Sequence, residues 1–330
     1  MVVVLSGSTY LNGKTTLSGR AQAPSDQLGP DDLVRPFPPA DDILFGDVET
    51  LRGRATGGND VLLGGPAFVP FVGDARLIEG FARGGNDVIE YNAFGGDIYG
   101  DALTIRGFGA GGDDILILFV RGGVAYGDAG TLTGFARGGD DDITVGGRFV
   151  TAYGDAATLR DRARGGNDTL RGEAGATSVE LVGDGALSGR ARGGNDVLYA
   201  PEGTFGVTLM GDGPLSGFAR AGDDVLVGAS GIAFLTLWGD GPVTGTRVVP
   251  GRDRFVLTGD EASVTIMDFQ RARDVIDLTA LAEDGIRSLD DLTVTETKVA
   301  GGMDVRVVIG GLDLLVHADK ALTTSDFLFG

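Results

Sequence analysis

Four-residue turns of the form Gly-Gly-Asn-Asp or Gly-Gly-Asp-Asp recur along the chain and end at Asp60, Asp87, Asp114, Asp141, Asp168 and Asp196. Ala-Gly-Asp-Asp ends at Asp224, and a degraded Pro-Gly-Arg-Asp at Asp253. Such turns suit a hard cation. Glycine lets the backbone fold so that carbonyl oxygens converge, and the aspartate that follows adds a charged oxygen. Calcium takes about six to eight oxygen ligands at roughly 2.3–2.6 Å.

A second series, Gly-Asp, places Asp47, Asp74, Asp101, Asp128, Asp155, Asp184, Asp212 and Asp240 at intervals of 27, 27, 27, 27, 29, 28 and 28 residues. The two series alternate. Each repeat reads GDAxxLxGFARGGNDVLxG and closes with a variable bridge, such as 171–178 or 201–206. Short β-prone units follow each Gly-Gly-Asx-Asp turn (Val61-Leu62-Leu63, Ile115-Leu116-Ile117) and precede each Gly-Asp (Leu235-Thr236-Leu237-Trp238). A third unit, such as Leu103-Thr104-Ile105, follows the Gly-Asp turn. These units are too short, and too often broken by glycine, to be helices.

Short strands at a long constant period, with glycines at fixed offsets, predict an all-β chain folded as a parallel β-solenoid of about eight coils of 27–29 residues. One coil alone cannot bury its apolar face, so the coils must stack, into a rod of roughly 40 Å. A coil of this length has room for three strands. Stacking also sets the aspartates of one turn series about 4.8 Å apart, where like charges repel. The column needs compensation.

The expected organisation has three parts. Residues 1–43 form a worn first coil that caps the rod, with TTLSGRAQ at 15–22 aligned to the repeat and a proline-rich insertion at 23–39. Residues 44–253 are the repeats. Residues 254–330 abandon the glycine rhythm for more ordinary strands and turns that cover the other end.

The segments Gly57 to Leu62, Gly84 to Ile89, Gly111 to Leu116, Gly138 to Ile143, Gly165 to Leu170 and Gly193 to Leu198 resemble the haemolysin-type calcium-binding repeats of RTX proteins, in which a nonapeptide forms a calcium-binding turn and a short strand of a β-roll. The resemblance implies carboxylate ligands from Asp60, Asp87, Asp114, Asp141, Asp168, Asp196 and Asp224. It implies carbonyl ligands from the neighbouring glycines Gly57, Gly84, Gly111, Gly138, Gly165 and Gly193. The match departs from the family where the leading Gly-Gly-x is Ala-Arg-Gly, and where the Gly-Asp half repeat carries its leucine three or four residues after the aspartate. Asp268-Phe269, Arg271 to Leu281 and the terminal Asp326-Phe327-Leu328-Phe329 resemble the C-terminal module of serralysin-type, type I secreted proteins. That likeness implies export through an uncleaved C-terminal signal and folding on calcium outside the cell.

Two other readings of the aspartates stay open. Asp and Asn stabilise tight turns without metal, and the Gly-Asp turns are read as structural. Arg83, Arg137, Arg164, Arg192 and Arg220 precede the Gly-Gly or Ala-Gly steps, so an arginine ladder is a rival compensation for the aspartate ladder. Phe81, Phe108, Phe135 and Phe218 are read as packing between coils, and His317 as an ordinary edge or core residue.

Composition narrows the function. Forty-seven acidic against 27 basic residues give a formal charge of −20, which disfavours nucleic acid and anionic membranes as partners. No stretch is long and apolar enough to span a membrane, and the start of the chain lacks the pattern of a Sec signal peptide. One histidine and no cysteine leave no zinc-protease motif and no thiol nucleophile, which sets those enzyme classes aside and leaves carboxylate-based polysaccharide chemistry open. The expectation is a secreted, calcium-binding structural or adhesive module, with extracellular polysaccharide or further copies of itself as partners. The alternative is a polysaccharide-binding or polysaccharide-modifying β-helix of the lyase or epimerase kind.

Overall fold

A computed structural model describes residues 3–6, 9–11, 16–23, 25, 27–28, 43–64, 70–259 and 261–330. The chain is a parallel β-solenoid, as expected, and among the described residues it has no α-helix. Each repeat supplies three strand segments. One coil uses Ala75–Gly80 after its Gly-Asp turn, Val88–Ala93 after its Gly-Gly-Asn-Asp turn, and Ile98–Tyr99 before the next Gly-Asp. In the two following coils the last two segments fuse into single strands, Ile115–Tyr126 and Asp142–Tyr153.

Every segment pairs in parallel with its counterpart one repeat away. Among the described residues, Ile105 lies between Ile78 and Leu132 in a nine-stranded sheet, and Leu116 between Ile89 and Ile143 in a 23-stranded sheet. Register is set by the apolar pattern, because a slip of one residue would turn each inward side chain outward. The inward positions are ladders of equivalent residues: Leu116, Ile143, Leu170, Leu198 and Leu226 are all fully buried. Burial of each such side chain stabilises by roughly 1.5–3 kcal/mol, and the neighbouring coil completes it.

The interior is divided. Leu51, Ile78, Ile105, Leu132 and Leu159 pack with Ala55, Ala82, Ala136 and Ala163 in a small lobe behind the nine-stranded sheet. A larger lobe holds Leu62, Ile89, Ile98, Leu116, Ala125 and Leu181. The chain passes from one lobe to the other at each Gly-Asp and each Gly-Gly-Asx-Asp turn, so both turns form a waist between two apolar cores.

Phe81, Phe108 and Phe135 do stack coil on coil, and Phe218 lies between Arg190 and Arg247, but on the outside: the four rings are 57%, 53%, 44% and 46% exposed. Alternation in Phe-Ala-Arg decides this. The alanine takes the inward place, which leaves the ring and the guanidinium on the solvent side.

The strand stack runs on past residue 253. Arg254–Val256 lies on Val225–Val227, Val275–Asp277 on Arg254–Val256, and Phe327–Leu328 on Val275–Asp277. An antiparallel meander of Thr293–Val299, Gly302–Ile309 and Leu312–Ala318 joins through Ser263–Phe269. The nine-stranded sheet stops earlier, at the exposed Val243–Thr244. At the other end Thr16–Leu17 pairs in parallel with Thr50–Leu51, as the alignment of 15–22 requires. Most of the proline-rich insertion lies outside the described residues.

Candidate metal centre

The Gly-Gly-Asx-Asp turn separates its two acidic positions. The third residue faces solvent and builds an outer ladder: the Asp140 N–H donates to Oδ1 of Asp113 at 3.0 Å, and the Asn167 N–H to Oδ1 of Asp140 at 2.7 Å. The fourth residue points inward, and its bonds run the other way along the rod. The N–H of Asp87 donates to Oδ1 of Asp114 at 2.6 Å, that of Asp114 to Asp141 at 2.7 Å, and that of Asp141 to Asp168 at 2.8 Å. The turn-forming reading therefore fits the outer residue, while the inner aspartate is a buried carboxylate.

Asp60, Asp87, Asp114, Asp141, Asp168, Asp196 and Asp224 form this inner column, and Asp253 extends it. All are buried. The second oxygens, Oδ2, of Asp87, Asp114, Asp141, Asp168, Asp196 and Asp224 are buried with no hydrogen-bond partner. Leaving a buried acceptor unsatisfied costs roughly 1–3 kcal/mol, more when it is charged. Six repeats of that feature need one physical account.

The Gly-Asp series lies in the same place. Asp74, Asp101, Asp128, Asp155, Asp184, Asp212 and Asp240 are as deeply buried, and each accepts a bond from the glycine at the second position of the facing turn. The Gly112 N–H reaches Asp101 at 2.9 Å, and the Gly139 N–H reaches Asp128 at 2.8 Å. These bonds close the small lobe eleven residues on. Asp47, Asp60 and Asp74 offer carboxylate oxygens within 4.8 Å of one another, two from the Gly-Asp series and one from the other. The turns read as structural thus belong to the same acidic cluster, and the aspartates are positioned like metal ligands.

Glycine is required where the two columns meet. A Cβ at Gly100 would overlap Oδ2 of Asp114 and the carbonyl of Gly127; one at Gly111 would overlap the carboxylates of Asp101 and Asp128. The same holds at Gly84, Gly138, Gly165 and Gly193, each against two Gly-Asp carboxylates, and Gly57 meets that of Asp74. The first glycines of the Gly-Gly turns thus leave room for carboxylates of the opposite column. At Gly100 a carbonyl and an unbonded carboxylate oxygen converge with no donor between them.

Electrostatics agree. Burial, then the charges of Asp114, Asp128 and Asp74, hold the Asp101 carboxyl well above the usual carboxylate range. Burial and then the charges of Asp128, Asp168 and Asp114 do the same for Asp141. Asp128 is pushed up to about 7, chiefly by burial, and Asp253 to about 10, by burial and then Asp224. Without a cation these groups must hold protons or repel. The donor set is entirely oxygen, which suits calcium, magnesium or manganese over the softer metals.

The arginine ladder does not compensate the column. Arg83, Arg137, Arg164, Arg192 and Arg220 stand on the exposed face in successive parallel bridges interrupted at Ala110, and among the described residues none makes an ion pair with either aspartate series. His317 lies on a strand of the C-terminal meander, 2.8 Å from Asp304.

Fold and site together define a parallel β-solenoid with a doubled interior column of aspartates placed as metal ligands. No family model and no curated protein matches the chain. The Gly-Asp aspartates, read from the sequence as structural, join the other series as candidate ligands. Their period was as visible as that of the first series, but only the waist shows that the two series face each other.

Proposed function

We propose that the chain is a calcium-binding β-solenoid module of the haemolysin-type repeat class, exported by a C-terminal type I signal and folded by calcium outside the cell, where it serves as a structural or adhesive rod. One observation carries the reading. In coil after coil a buried carboxylate spends Oδ1 on a backbone N–H and turns Oδ2, without a donor, toward the facing turn. A divalent cation between the columns would neutralise both series and satisfy these oxygens at once, and calcium's tolerance of irregular oxygen shells fits a site built from two unlike turns. No helix among the described residues is long and apolar enough to cross a membrane.

The test is the metal content of the purified full chain after equilibration with calcium and removal of free ion. Several calcium ions per chain, released by chelator, are expected; a chain that retains none contradicts the proposal.

A further inference from the structure

We propose that the outer face of the small lobe is a binding groove for a linear 1,4-linked polyuronate, a polysaccharide with one carboxylate per sugar. Arg137, Arg164, Arg192 and Arg220 occupy adjacent rungs there, joined by parallel bridges, and Arg162 and Arg190 stand beside them two residues earlier in their coils. All six side chains are exposed, and among the described residues none has an ion-pair or side-chain hydrogen-bond partner. Like charges repeated at about 4.8 Å repel. A chain with 47 acidic residues had ample means to pair them internally and places none opposite. An anion from outside is the remaining complement.

The shape is a groove of about 690 Å³, walled by Arg83, Arg137, Arg162, Arg164, Arg190 and Arg192 together with Phe81, Phe108 and Phe135; Arg220 lines its continuation with Phe218 and Arg247. The rings stack face to face, with centroids 4.9 and 4.8 Å apart and planes within 9° and 8°. Guanidinium groups close the stack at both ends, Arg54 at 5.8 Å from Phe81 and Arg162 at 5.3 Å from Phe135. Single-stranded nucleic acid is held by stacking bases on free aromatic faces, and here those faces are taken. The ring edges remain, and they carry the positive side of the aromatic quadrupole. The groove therefore offers guanidinium forks and ring edges, both of which present positive potential to a carboxylate.

Geometry favours a uronate chain. Successive coils repeat the guanidinium groups every ~4.8 Å along the groove, and an extended β-1,4-linked pyranose chain turns successive carboxylates to alternate sides. The paired rows at Arg162–Arg164 and Arg190–Arg192 put a guanidinium on each side, and a guanidinium grips a carboxylate through two parallel bonds. The formal charge of −20 does not describe this face, because much of it sits on the interior aspartates.

The inference needs only the folded solenoid, whatever ion fills the waist, so it fails or stands apart from the calcium reading. The test is calorimetric titration of the folded full chain with a hexamer of 1,4-β-linked glucuronate, with cellohexaose as the uncharged chain and oligothymidylate as the rival polyanion. Saturable binding of the glucuronate hexamer is expected, weakening with added salt, and none of cellohexaose. The double variant Arg164→Glu/Arg192→Glu should bind at least about tenfold more weakly, a change of roughly 1.4 kcal/mol. Arg164→Gln/Arg192→Gln, which adds no like-signed charge to the acidic chain, should lie between the two if charge reversal perturbs folding. Absence of saturable binding, wild-type affinity in both variants, tighter binding of oligothymidylate, or self-association of the chain abolished by the same substitutions would each overturn it.

Discussion

The backbone N–H of Asp114 donates to Oδ1 of Asp141 at 2.7 Å across a coil boundary, while Oδ2 of Asp141 lies buried without a hydrogen-bond partner. One carboxylate thus has two roles. Half of it is mortar between coils, a local backbone cap that would persist in any turn. The other half faces the opposite aspartate column, and only a proton or a cation completes it.

Asp114→Asn separates those roles. The amide keeps an oxygen for the Asp87 N–H, which now reaches Asp114 at 2.6 Å, and turns its NH2 toward the Gly127 carbonyl. The variant should melt higher than wild type in chelator, by a few degrees at about 2–4 °C per kcal/mol, and gain less from calcium. An unchanged calcium-dependent rise in melting temperature would show that Asp114 holds no ion.

The pH dependence of the ion-free chain should have an unusual sign. Burial and neighbouring carboxylates raise Asp101, Asp114, Asp141 and Asp168 well above the ordinary 3.8, and Asp128 to about 7. A carboxyl with a raised folded pKa contributes most below its unfolded value, and the contribution is lost as pH rises through the folded one. The loss runs at roughly 1.4 kcal/mol per pH unit for each such group. Stability without metal should fall from about pH 4 upward, and through about 7 for Asp128. In excess calcium the order reverses, because the ionised form binds the ion. Melting temperatures at about pH 5 and about pH 8, with chelator and with calcium, check this; a chelated protein more stable at the higher pH contradicts it.

Two glycine substitutions should differ sharply. Gly111→Ala drives a methyl group into the carboxylates of Asp101 and Asp128, whereas a Cβ at Gly206 meets nothing within 4 Å. Overpacking costs about 1–3 kcal/mol, so Gly111→Ala should lower both stability and calcium affinity, and Gly206→Ala should leave both near wild type. Comparable melting curves for the two would mean that the waist is looser than its geometry indicates.

Much of this architecture was legible in residue order. The 27–29-residue period and the three short strand units follow from spacing and turn chemistry; that the last aspartate of each Gly-Gly-Asx-Asp turn points inward comes from the fold. The pairing of the two aspartate series was not, because nothing local brings Asp47 and Asp60 to one point: that depends on the small lobe closing through bonds such as Gly58 N–H to Oδ2 of Asp47, 2.7 Å. Phe108 and Arg137 misled for a related reason. Read as a packing residue and an internal counter-charge, they lie on the solvent side because Gly109 and Ala136 take the inward positions of their three-residue segments. Period-two alternation carried that information.

Far-ultraviolet circular dichroism of the full chain at neutral pH, titrated with calcium from a chelated start, tests the central claim most directly. The account predicts weak strand signal in excess EGTA, a cooperative gain of β-structure as calcium is added, and a steep rise in melting temperature. An identical spectrum and melting temperature with and without EGTA would contradict it.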